Sequence, residues 1–139
     1  MSLFEQFETD KTKEQDGVPV EYAPNTDGTI PVFYLARIGG ANSKYSLLIK
    51  KLTKQYKRQI QLDSLPDEKL MEISIQAFSE GALRGWENIQ DRDHKNIPFS
   101  VENARNLFKQ LPDLFADLIS QANDIELFKL AQIEKDTKN

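Results

Sequence analysis

Apolar residues follow two kinds of spacing along this chain. From Val18 to Ala36 they form two β-rich runs, Val18-Pro19-Val20-Glu21-Tyr22 and Thr29-Ile30-Pro31-Val32-Phe33-Tyr34-Leu35-Ala36. Pro24-Asn25-Thr26-Asp27-Gly28 lies between them, and Asp27-Gly28 is a strong turn signal. The pattern predicts a β-hairpin. Pro19 and Pro31 cannot donate to a ladder, so both are expected near strand ends or on edges.

After Gly39-Gly40 the spacing becomes helical. Tyr45, Leu48, Ile49, Leu52 and Tyr56 share one face, which predicts a helix over 43–58 capped by Asn42 or Ser43. Ser64, Pro66, Asp67 and Glu68 read as the start of a second helix running to Trp86, with Leu70, Ile73, Ala77, Phe78 and Trp86 on its buried side. Gly81 and Gly85 each cost about 1 kcal/mol against alanine inside a helix, unless they admit a close neighbour. Ser100 caps a third helix over 101–109, with Glu102 in its first turn and Leu107 and Phe108 inward. Pro112 opens a last helix whose stripe is Leu114, Phe115, Leu118, Ile119, Ile125 and Phe128. The expected fold is α+β and mostly helical, an N-terminal hairpin followed by about four helices. Residues 1–16 read as a flexible acidic arm anchored by Leu3, Phe4 and Phe7, residues 17–134 as a single domain, and 135–139 as a frayed tail.

Composition narrows the function. At 139 residues, 39% hydrophobic and 29% charged, the chain suits one soluble domain with a real core. No apolar run approaches the roughly 20 residues a bilayer span requires, and the acidic start MSLFEQFETD does not resemble a signal peptide. A cytoplasmic site and no membrane partner are expected. With no cysteine, disulfides, thiolate catalysis and Cys-ligated zinc are excluded. The net charge of -4 hides an asymmetry. Residues 1–36 carry 7 acids and 2 bases, residues 37–60 carry 7 bases and no acid, and residues 61–139 carry 15 acids and 9 bases. The basic helix face of Lys44, Lys50, Lys51, Lys54, Lys57 and Arg58 is a candidate surface for a partner or a second copy. Nucleic acid is the alternative occupant, and the acidic flanks weigh against it.

The stretch GWENIQDRDHKNIPFS, Gly85 to Ser100, holds the only tryptophan and the only histidine. Asp91, Asp93 and Glu102 fall at positions 1, 3 and 12 of a calcium loop, but Lys95 stands at position 5 and Asn96 replaces the glycine. One histidine without cysteine is a poor zinc set. A hydroxyl nucleophile has only His94 as base, and nothing suggests a partner for it. Gly39-Gly40-Ala41-Asn42 can hold an anion at a helix start, though a strand-to-helix turn is the plainer reading. The expectation is a binding protein, not an enzyme, without metal or cofactor.

GWENIQDRDHKNIPFSVENARNLF resembles a motif of the tail assembly chaperones of long-tailed phages and prophages. The shared elements are Gly85, Trp86, Ile89, Asp91, Asp93, Phe99, Ser100, Glu102, Asn103 and Ala104. The stretch from Phe7 to Ser46 resembles the N-terminal part of the same family through Phe7-Glu8-Thr9-Asp10, Gly17, Tyr22, Phe33, Ala36-Arg37, Gly39, Asn42 and Tyr45. QLPDLFADLISQANDIELF resembles its last helix, so the likeness covers nearly the whole chain. It implies a non-catalytic protein that coats the tape-measure protein, keeps it soluble and yields it as tail tube subunits polymerise. It implies the tape-measure and tail tube proteins as partners, with self-association as a further trait. The family's turn carries glycine where this chain has His94. Glycine permits positive φ there, and histidine is among the residues that tolerate it. His94 is therefore expected as a left-handed turn residue. Asn88–Gln90 and Ile97–Phe99 are expected to pair as a short second hairpin around it.

Overall fold

A computed structural model describes residues 1–130. The expected hairpin is present. Strands β1 (Val18–Glu21) and β2 (Val32–Leu35) run antiparallel, with Val18 opposite Leu35 and Glu21 opposite Val32. Alternation sends Val18 and Val20 inward and leaves Pro19 and Glu21 outside. Their loop closes through Tyr22 N–H to the Pro31 carbonyl (3.0 Å) and Asn25 N–H to the Thr29 carbonyl (2.8 Å). Pro19 lies on the edge strand and Pro31 just outside β2, so neither removes a needed ladder bond.

Four expectations change. First, residues 1–16 are not an arm held by its aromatics. They form helices α1 (Leu3–Phe7) and α2 (Lys11–Asp16), and Leu3, Phe4 and Phe7 are all exposed. Attachment comes instead from polar groups. Asp10 Oδ1 caps α2 by accepting from Thr12 N–H, Asp10 N–H donates to the Phe128 carbonyl at 2.7 Å, and Glu14 is buried.

Second, the 43–58 helix is interrupted. Helix α3 covers Lys44–Thr53, a 3-10 turn covers Lys54–Tyr56, and helix α4 covers Lys57–Gln61. Lys54 meets Lys50, Lys51, Lys57 and Arg58 at helical spacings of three or four, which are repulsive pairs. The Thr53 hydroxyl also bonds back to the Ile49 carbonyl at 2.6 Å, a contact that bends helices.

Third, the second helix stops early. Helix α5 covers Asp67–Gly81, and strand β3 covers Leu83–Glu87. Gly85-Trp86 is therefore strand and does not end the helix. Helical and strand periods both bury Trp86, and pairing with β2 decides between them. Phe33 lies opposite Trp86, and the ladder is irregular between Tyr34 and Leu35. The sheet has the order β1-β2-β3.

Fourth, Ser64 does not cap α5. Its hydroxyl donates to the Gln59 carbonyl, and Pro66 holds the cap position.

Helices α6 (Val101–Gln110) and α7 (Pro112–Ala122) match their predicted starts, and a 3-10 turn at Ile125–Phe128 follows. The expected tail over 135–139, with the domain end at 131–134, lies outside the described residues. Aromatic rings join the sheet to α6, with Phe33 of β2 at 6.5 Å from Phe108 between ring centroids, and join the strands and the helices among themselves. Phe33 meets Trp86 at 5.9 Å, Phe78 meets Phe115 at 5.5 Å, and Phe108 meets Phe115 at 5.4 Å between ring centroids. Phe33, Phe78, Phe108, Phe128, Leu35 and Leu118 are the largest apolar side chains fully inside.

Candidate functional site

Helix α3 lies against α5 at unusually short range. A Cβ placed on Gly81 would stand 2.8 Å from the Tyr45 Cα, closer than real side chains come. Gly81 thus lets two backbones approach, the role the helical reading reserved for it. Beside this contact the two helices and α7 leave a cleft of about 290 Å³ that is open to solvent. Tyr45, Leu70, Met71, Phe115 and Ile119 make it apolar, and Asp67 and Ser74 add polar edges. Leu70, expected on the buried side of its helix, is instead 40% exposed because it lies at the open cleft; Met71 is 46% exposed, and Leu47 on α3 is 60% exposed. Large apolar side chains in such a position favour an amphipathic helix as occupant.

The basic residues begin at the α3 wall. Lys44, Lys50, Lys51, Lys54, Lys57 and Arg58 are all exposed. None of the six makes an ion pair among the described residues. The turn between α3 and α4 spreads them over two short helices. Tyr56 in that turn lies under Lys69 of α5, with 5.4 Å from Nζ to the ring centroid.

The motif residues are brought together elsewhere, around Trp86. Its indole Nε1–H donates to the Ile97 carbonyl at 2.8 Å, and its ring meets Phe99 edge-on at 5.2 Å. Gly85 sits across the ladder from Tyr34, and Ile89 is buried. Ser100 Oγ accepts from Asn103 N–H at 3.0 Å, and Asn103 Nδ2 donates to the Pro98 carbonyl at 2.9 Å. Glu102 is exposed in the first turn of α6. These groups are occupied with holding the β3–α6 connection.

The acidic tip is likewise committed to backbone. Asp91 Oδ1 accepts from Asp93 N–H at 2.8 Å and Lys95 N–H at 3.0 Å. Ile97 N–H reaches the Ile89 carbonyl at 2.7 Å, and Gln90 bridges to Asn96, so the second hairpin is a minimal one. His94 has φ 63 and is exposed, the left-handed geometry expected of it. Among the described residues no three His, Asp or Glu side chains cluster closely enough for a metal ion. No described helix is long and apolar enough to cross a membrane.

One polar constellation escapes sequence reasoning. Glu14 from α2 forms an ion pair with Arg37 and accepts from Ala41 N–H at 3.2 Å. Burial alone would raise the pKa of Glu14. The hydrogen bonds from Arg37 and Ala41 and the Arg37 charge outweigh it and hold the carboxyl below its usual value. Gly40, at φ 56, leaves room for this carboxylate. The Gly39-Gly40 turn does hold an anion, and that anion belongs to the chain. Buried Asn42 then ties the turn to α5, with Nδ2 donating to the Arg37 carbonyl (2.8 Å) and the Gly81 carbonyl (2.9 Å). Arg84 reaches the Gln15 carbonyl at 2.8 Å. The partners are far apart in sequence, and only the paired glycines hinted at them.

The fold and the cleft define a class, a small α+β domain that presents an apolar groove with a basic flank. A family model described as YdaY prophage protein matches residues 40–139, and the chain belongs to that family. The matched segment includes the basic residues, the cleft and the Trp86 connection, and excludes α1, α2 and the hairpin. No curated protein and no solved structure gives a significant match.

Proposed function

We propose that this prophage protein is a tail assembly chaperone that binds the tape-measure protein and assists assembly of the tail tube. The cleft between α3, α5 and α7 carries the reading. A tape-measure protein exposes long apolar stripes on helices, and such stripes aggregate unless covered. The cleft offers apolar walls of the right kind for one helix face. Met71 suits varied sequences, because an unbranched thioether adapts to irregular partners. Membership in a prophage family supports the phage setting, and the motif resemblance supports the tail role. The activity is binding without catalysis or cofactor, carried out in the cytoplasm of the bacterial host.

Co-expression tests it. The cognate tape-measure protein should remain soluble with this chain and precipitate without it. Equal precipitation in both cases sinks the proposal. A second reading draws on the six exposed bases, a footprint that fits a nucleic-acid-binding regulator. Such a protein would bind DNA or RNA at low salt and lose affinity steeply as salt rises. No binding at low salt removes that alternative.

A further inference from the structure

Helix α1 has an uncovered apolar face. Leu3, Phe4 and Phe7 are 70%, 76% and 62% exposed. Leu3 and Phe7 are one turn apart with Phe4 beside them, so the three share a face. The same segment carries Glu5, Glu8 and Asp10 and no base before Lys11. The cleft is its complement. Its lining is apolar except for Ser74 and the acid Asp67 at its edges, and the α3 wall leads into six bases over 44–58 without an acid. Apolar matches apolar, and acid matches base. Within its own chain the segment after α1 is tied to the last described residues, where Thr9 bridges to Lys129 and Asp10 bonds to Phe128. The α1 face stays open there.

We infer that α1 of one copy seats Leu3, Phe4 and Phe7 in the cleft of a second copy, with Glu5 and Glu8 toward the bases of α3. Reciprocal exchange closes a dimer, and one-way exchange builds a ring or filament. The inference rests on the cleft being a helix receptor. It adds that a partner helix gains the cleft by displacing a neighbour's α1, so self-association shields the apolar walls until a partner arrives.

The absence of native cysteine permits a clean test. Differently tagged chains carrying Phe4→Cys alone and Met71→Cys alone are mixed and oxidised. A disulfide between the two chains is expected. Phe4→Cys mixed with Leu111→Cys, exposed but outside the cleft lining, should give far less. In sedimentation the unmodified chain should associate, and Phe4→Ser with Phe7→Ser should weaken association by about tenfold or more at unchanged circular dichroism. Raising salt should weaken it too. A monomeric unmodified chain overturns the proposal. So does a cross-link formed as readily to Leu111→Cys, or one that forms within a single chain carrying both Phe4→Cys and Met71→Cys. No tape-measure protein enters this experiment, so its failure is separable from failure of the chaperone reading.

Discussion

His94 shows how one residue changes meaning when its backbone is known. An exposed imidazole between two charged neighbours invites a catalytic reading, yet its φ of 63 assigns it to the tip of a turn. Left-handed backbone costs an ordinary L-residue roughly 1–2 kcal/mol, and most for a β-branched one. His94→Val should therefore lower stability by about 1–2 kcal/mol, while His94→Gly should leave it unchanged or slightly higher. Urea unfolding of the two variants checks this, and equal effects would remove the turn explanation. Trp86 is legible in part. That it is buried could be read from the sequence. That its indole N–H finds the Ile97 carbonyl could not, because that partner lies 11 residues away across a turn.

Elements depart from the sequence pattern where distant groups outbid local preference. α5 ends at Gly81 because Asn42 takes the Gly81 carbonyl and Ala36 N–H takes the Ala82 carbonyl at 2.7 Å, drawing the chain into the sheet. Gly81 also separates two effects of opposite sign. Alanine there would recover about 1 kcal/mol of helix propensity, but its Cβ would strike the α3 backbone, and overpacking costs about 1–3 kcal/mol. Gly81→Ala should destabilise on balance, measured by thermal unfolding, and a gain in stability would contradict the close α3–α5 approach.

Helix α2 depends on Glu14 in a comparable way. Its carboxyl is held below the ordinary 4.5. The stability this contributes is fully present above that value and is lost as pH falls through the lower folded-state pKa. Glu14→Gln should cost on the order of 2 kcal/mol at neutral pH by leaving Arg37 unpaired. It should also flatten the acid limb of a stability-against-pH curve. An unchanged acid limb would mean that other carboxylates dominate.

Across the whole molecule, stability and binding fall on different residues. The aromatic core holds the sheet to α5, α6 and α7, while Leu70 and Met71 stand partly exposed at the cleft. Leu70→Ser with Met71→Glu should therefore change stability by less than about 1 kcal/mol, as surface substitutions do, yet abolish co-purification with a tape-measure protein. Loss of folding together with binding would instead make these residues part of the core. The charge partition belongs to this scale as well. An acidic start, a basic middle and an acidic remainder could be counted from the chain, but only the fold sets the basic helix beside an apolar cleft.

The sequence by itself determined the periodic and capped features: the hairpin, the α6 start at Ser100 and the α7 start at Pro112. Each follows from residues within a few positions of one another, where sterics and local hydrogen bonds are complete. Tertiary structure alone decided the rest. It turned Leu83–Glu87 into a third strand, set Glu14 into the Gly39-Gly40 turn and opened the cleft between α3, α5 and α7. Those outcomes depend on backbone and side-chain partners 20 to 70 positions away. Spacing along the chain records which residues are apolar, but not which surfaces they meet.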